Sequence, residues 1–193
     1  AQRHKSAMSV TVLFVPGLRD HVEDHWQTHA ARAFAGAATV APLAEHRLSR
    51  AARVAALDAA LQAIAGEVVI AAHSAGCLMV AQWATSPTRP IRAALLATPA
   101  DVENPLPSGY PTLPELEAGG WLPIPRQPLP FPTTVVASRN DPLAAFERVA
   151  GMAQDWGATL HDAGPVGHLN PPAGFGRWTA GEALLSDLLT GHA

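Results

Sequence analysis

The runs VVIAA (68–72) and RAALLA (92–97) are apolar almost throughout. A strand with no polar face has to be covered on both sides, as in a parallel sheet flanked by helices. Four more β-branched runs read as strands: VTVLFV (10–15), ATVAP (38–42), TTVVAS (133–138) and ATLHDA (158–163). Ala-rich stretches separate them. In RAARVAALDAALQAIAG, Val54, Leu57, Leu61 and Ile64 share one stripe at helical spacing, with Gly66 placed as a C-cap. Further helices are expected over 24–35, 75–85, 142–155 and 177–190. Strand–helix alternation with short links implies βαβ units. The expected fold is α/β: a mostly parallel six-stranded sheet between two helical layers.

At 193 residues the chain suits one core rather than two domains. A hydrophobic fraction of 48% and a charged fraction of 15% exclude bulk disorder. The net charge of −3 and the lack of a basic cluster beyond the first five residues give no footprint for nucleic acid. No apolar run approaches the roughly 20 residues that span a bilayer. The lone Cys77 excludes an internal disulfide framework and fits a reducing compartment. These readings predict a soluble cytoplasmic protein, monomeric or a small oligomer, with no membrane partner. Residues 1–7 read as a cloning remnant or disordered N-terminus, Met8 as the natural start, and 8–193 as one domain.

The segment 99–132 breaks the rhythm. It holds more than half of the 18 prolines, so neither a long helix nor a central strand fits. Tyr110, Leu113, Leu116, Trp121, Leu122, Ile124 and Phe131 make it too apolar for a free linker. A stiff excursion covering part of the sheet's edge is expected, serving as a lid, a binding loop or packed decoration.

AAHSAGC sits between the third strand and a helix. Small residues at Ala72 and Gly76 permit a tight turn with Ser74 at its tip. Such a turn lifts the serine Oγ above the sheet and frees the N–H of Ala75 to bind an anion. The pattern departs from G-x-S-x-G by Ala72, and Ser74 as a plain helix N-cap is the competing reading. A serine nucleophile needs a base and an orienting acid. In α/β-hydrolases these follow in the order acid, histidine. The fifth strand runs into RNDP, presenting Asp141, and the sixth into GPVGHLN, presenting His168. Both lie beyond the carboxyl ends of parallel strands, where such sheets bind ligands. In this reading His168 is the general base, Asp141 orients it, and the turn VPGLRD after the first strand supplies a second oxyanion donor, the N–H of Leu18.

Other groups compete. Asp101 or Glu103 could supply the acid, whereas Asp162 lies too early to reach His168. Cys77 reads as a small buried hydrophobe, and His73 as a residue that packs or makes a local hydrogen bond. His21, His25 and His29 recur at a spacing that can ligate zinc, but Asp24 looks like an N-cap and would leave His21 outside the helix, so no metal is expected. His25 and Trp26 are expected beside the Gly17 turn, shaping the pocket, and Trp121 and Leu122 are offered as acyl-pocket residues. Trp26, Trp83, Trp156 and Trp178 read as core.

HWQ after VPG, the AHSAGC turn, ASRNDP and GHLNPPAGFGRW together resemble the small serine hydrolases of the retinoblastoma-binding protein nine or YdeN type. The resemblance runs from about Val10 to the end and is weakest in the proline-rich excursion. It implies a compact α/β-hydrolase fold, no metal or organic cofactor, and catalytic positions Ser74, Asp141 and His168. The expected activity is hydrolysis of small carboxylic esters, thioesters or activated amides. The alternative is a protein-binding module on the same scaffold. Against it, the positions flanking Cys77 that an L-x-C-x-E motif requires hold Ala75 and Met79, and all three triad members are present.

Overall fold

A computed structural model describes residues 9–191, so the expected remnant and Met8 lie outside the described residues. Six strands, β1 (Val10–Val15), β2 (Ala38–Thr39), β3 (Glu67–His73), β4 (Ala93–Ala97), β5 (Thr133–Ala137) and β6 (Thr159–Asp162), form one parallel sheet. The order is β2-β1-β3-β4-β5-β6, so the chain reverses its direction of travel across the sheet between β1 and β3. A crevice opens at the carboxyl ends of the strands at such a switch point.

Side chains on a strand alternate between faces, and that alternation divides the core in two. Leu13, Ile70, Ala72, Leu96 and Val135 meet α2 (Arg50–Gln62), α3 (Ala75–Trp83) and α5 (Phe146–Asp155). Val12, Phe14, Val69, Leu95 and Val136 meet α1 (Trp26–Ala33) and α6 (Thr179–Thr190) through Trp26, Trp178 and Leu185. Leu13, Ile70 and Ala94 stand side by side in register, one unbroken apolar row. Trp26, Trp83, Trp156 and Trp178 are all buried. Among the described residues no helix is long and apolar enough to cross a membrane.

Several boundaries differ from expectation. β2 shrinks to two residues at the sheet's edge, although Val40 still donates to the Phe14 carbonyl at 3.0 Å. α1 begins at Trp26, because His25 rather than Asp24 caps it: His25 Nδ1 accepts from the Gln27 N–H at 3.1 Å. α2 ends at Gln62 with Ala63 as its cap. Gly66 serves the approach to β3 instead: its φ is +84°, and a Cβ there would lie 2.7 Å from the Ser9 carbonyl oxygen.

The excursion joins the neighbouring strands β4 and β5 and packs into the core on the α2–α3–α5 face. It also contains a short helix, α4 (Leu113–Ala118), with a complete capping box between Thr112 and Glu115. Trp121 donates to the Leu48 carbonyl and Trp156 to that of Pro125, each at 2.8 Å. Arg148 bridges Asp101 and Glu103, and Glu103 also takes Arg126.

Candidate active site

Ser74 links β3 directly to α3, with φ 58° and ψ −125°. A non-glycine residue in that region carries about 1–3 kcal/mol of strain, which the surroundings have to hold in place. Gly76 makes the turn possible. A Cβ on it would collide with the Val15 carbonyl oxygen and lie 2.8 Å from that of Pro16. The tight approach that demands a small residue is therefore between α3 and the end of β1. Ser74 does not cap α3 with its side chain. Its Oγ lies 2.8 Å from His168 Nε2.

His168 Nδ1 lies 3.0 Å from both carboxylate oxygens of Asp141. Their side chains are 4% and 1% exposed. A carboxylate on Nδ1 demands the Nδ1–H tautomer, so Nε2 is an acceptor and the Ser74 hydroxyl donates to it. The turn after β5 holds the acid: the Leu143 N–H donates to Asp141 Oδ1 at 2.9 Å, and α5 starts only at Phe146. Asn140 joins the two loops, its Oδ1 accepting from the Gly167 N–H at 2.7 Å and the Ser138 hydroxyl at 3.1 Å. Sequence reading passed over Asn140, although its place in RNDP, beside the acid, was a usable signal.

The rival groups are engaged elsewhere. Asp101 is buried against Arg148, which donates to both of its oxygens, and Asn104 donates to Oδ2 at 2.6 Å. Burial pushes its carboxyl up, but those hydrogen bonds outweigh burial and leave the pKa lowered. Asp162 pairs with Arg139. Cys77 is buried with its Sγ against the Ala97 carbonyl, and burial pushes its thiol well up. His21 leans on Glu23 and His29 on Asp24, while His25 caps α1, so the three rings do not converge.

A cavity of about 400 Å³ opens over Ser74. Gly17, Leu18 and Ala75 line it beside the serine. Among the described residues, neither the Leu18 nor the Ala75 N–H donates to another protein atom. The loop carrying Leu18 is held from behind. Arg53, buried on α2, donates to the Leu18 carbonyl at 3.1 Å and pairs with Asp20. Gln27 Nε2 donates to the Val15 and Ala71 carbonyls at 3.1 Å each, tying the ends of β1 and β3 together. The excursion's share of the wall includes Val102, Leu106, Tyr110 and Leu116, with Leu143 beside them. Trp121 and Leu122 are not in that wall. Both pack into the core behind it, Trp121 because its indole N–H is drawn to Leu48.

His25 does line the cavity. Burial, with a contribution from His168, pushes its pKa down to about 4, so the ring is neutral at pH 7. Nδ1 is already an acceptor for Gln27, which puts the proton on Nε2.

The profile of the serine hydrolase family matches residues 12–187. No protein of curated function matches the chain. A YdeN-like hydrolase from Pectobacterium atrosepticum is 30% identical over 94% of this chain and 91% of its own, with a TM-score of 0.78. The ydeN gene product of B. subtilis is 15% identical, covering 94% and 100%, at a TM-score of 0.74. Mouse alpha/beta hydrolase domain-containing protein 10 is 13% identical, covering 95% and 90%, at 0.71.

Proposed function

Because the chain belongs to the serine hydrolase family, we propose that it cleaves small carboxylic esters through an acyl-enzyme on Ser74. The observation that carries this reading is the hydrogen-bonded chain from Asp141 through His168 to Ser74, with the serine on a strained turn facing an apolar cavity. The Ser74 Oγ attacks the ester carbonyl while His168 Nε2 takes its proton. Asp141 holds the ring and stabilises the imidazolium as it forms. The N–H groups of Leu18 and Ala75 receive the oxyanion. Collapse of that intermediate breaks the C–O bond, and His168 returns its proton to the departing alcohol. Water then attacks the acyl-enzyme by the same steps in reverse order, releasing the acid and restoring the serine. These steps call on no cofactor. Leu106, Tyr110 and Leu116 would receive the acyl group, and thioesters and activated amides suit the same chemistry.

A fluorophosphonate probe tests the reading. Wild type is expected to label, and Ser74→Ala to lose labelling together with as much as about a millionfold in kcat. Asp141→Asn should stay folded and lose about ten-thousandfold, because the ring then adopts the wrong tautomer. Wild-type protein that fails to label, or Asp101→Asn proving more damaging than Asp141→Asn, would overturn the assignment.

A further inference from the structure

The backbone carbonyl of His168 is a meeting point. His73 Nε2 lies 2.7 Å from that oxygen, and the Thr98 Oγ1 donates to it at 3.4 Å. His73 ends β3, Thr98 follows β4, and the register pairs His73 with Ala97, so two adjacent strands each send one donor to the same atom. A carbonyl can only accept, so His73 carries its proton on Nε2. Its ring is packed between those of His25 and His168, with centroids 4.5 and 4.8 Å away. Burial, reinforced by those two neighbours, pushes the His73 pKa well down. A charged ring there would repel the imidazolium that His168 must become. A neutral one does not.

The backbone is strained at the same place. Five described non-glycine residues have φ in the left-handed region: Asp20, His46, Ser74, Thr98 and Leu169. Three of them surround this contact. Ser74 is bonded to the His168 ring, Thr98 donates to its carbonyl, and Leu169 is its chain neighbour. Thr98 (φ 43°) and Leu169 (φ 49°) are each 0% exposed, and a β-branched residue rarely adopts that conformation. Strain kept at a buried point signals a constraint the rest of the fold maintains.

We propose that His73 and Thr98 are positioning residues that clamp the His168 backbone so that its ring stays in line between Asp141 and Ser74. The inference rests on the reading of those three as the catalytic groups. The aspartate fixes the rotation of the ring but not the location of its Cα. The loop carrying His168 leaves β6, an edge strand, and has no sheet neighbour on its far side. The carbonyl clamp ties that loop back to the sheet's centre. Its value is geometric, since a misplacement of about 1 Å costs on the order of a hundredfold in rate.

The test pairs a variant that deletes each donor with one that keeps it: His73→Leu against His73→Gln, and Thr98→Val against Thr98→Ser. Each is assayed for kcat and KM on 4-nitrophenyl butanoate per fluorophosphonate-titrated site, and for the rate of labelling and Tm. His73→Leu is expected to lower kcat and the labelling rate by about 10- to 100-fold with KM within about twofold. Thr98→Val should cost about fivefold, the worth of one neutral hydrogen bond. His73→Gln and Thr98→Ser should recover most of each loss. Because both donors act on one atom, the double variant should depart from the product of the single effects. Unchanged kcat per titrated site with a lowered Tm would overturn the proposal, leaving a purely structural role. So would losses that fall on KM, or no rescue by the conservative variants. If His73→Leu does not fold, the Thr98 pair decides alone. Absence of labelling in wild type would instead bring down the function itself, and this proposal with it.

Discussion

His25 shows how one residue can be placed correctly by sequence and yet have its chemistry set elsewhere. Its position in HWQ after VPG put it by the Gly17 turn, and it lines the cavity there. Its role as the N-cap of α1, its tautomer and its neutrality depend on the Gln27 N–H and on the rings that bury it. The sign of the resulting pH dependence follows directly. An unfolded histidine titrates near 6.5, while native His25 titrates at about 4. Between those values the unfolded chain binds the proton first. This contribution is therefore whole above pH 6.5 and drains away as the pH falls toward 4. Tm measured across that range should fall with acidification. His25→Asn, which keeps a capping acceptor but does not titrate, should make that fall shallower, leaving the part due to His73, whose pKa burial also lowers. An unchanged slope would mean that His25 is not a source of it. Ser74, Asp141 and His168 were legible because each stands at a strand end, where turn residues announce it. His73 and Thr98 were not, because a contact spanning 95 or 70 residues leaves no local trace.

Among the elements, α4 is the instructive departure. Six residues are too few for periodicity to register, and the prolines around them argue against a long helix. The readable signal was the capping box TLPE, a Thr followed three residues later by Glu, with Pro114 in the first turn. Leu116 of this helix reaches the cavity wall. Thr112→Ala removes the acceptor for the Glu115 N–H and should cost about 1 kcal/mol in urea unfolding. It should also change the preference between short- and medium-chain 4-nitrophenyl esters, since α4 carries Leu116. Loss of stability with an unaltered chain-length profile would separate α4 from the acyl site. β2 fell short for the opposite reason: ATVAP has strand composition, but only its first two residues keep register with β1, and Val40 adds a single hydrogen bond.

For the molecule as a whole, the excursion's docking rests on charge as well as apolar packing. Arg148 on α5 holds Asp101 and Glu103, and Arg126 closes the group against Glu103 and Asp155. Arg148→Met would leave the buried Asp101 carboxylate without its cation, at an expected cost of about 1–3 kcal/mol. Because Asp101 does not touch His168, kcat at 25 °C should survive in the folded protein. A loss on the scale of Asp141→Asn would contradict that division of labour. Five of the six strands, their alternation with helices, and the turns that present Ser74, Asp141 and His168 could be read from the chain, because each is written in residues close together along it. That Leu106, Tyr110 and Leu116 face the cavity while Trp121 and Leu122 turn into the core, and that two strand ends meet the His168 carbonyl, emerges only from the folded packing. Those outcomes depend on which distant surfaces meet, and spacing along one strand or helix does not encode the placement of the next.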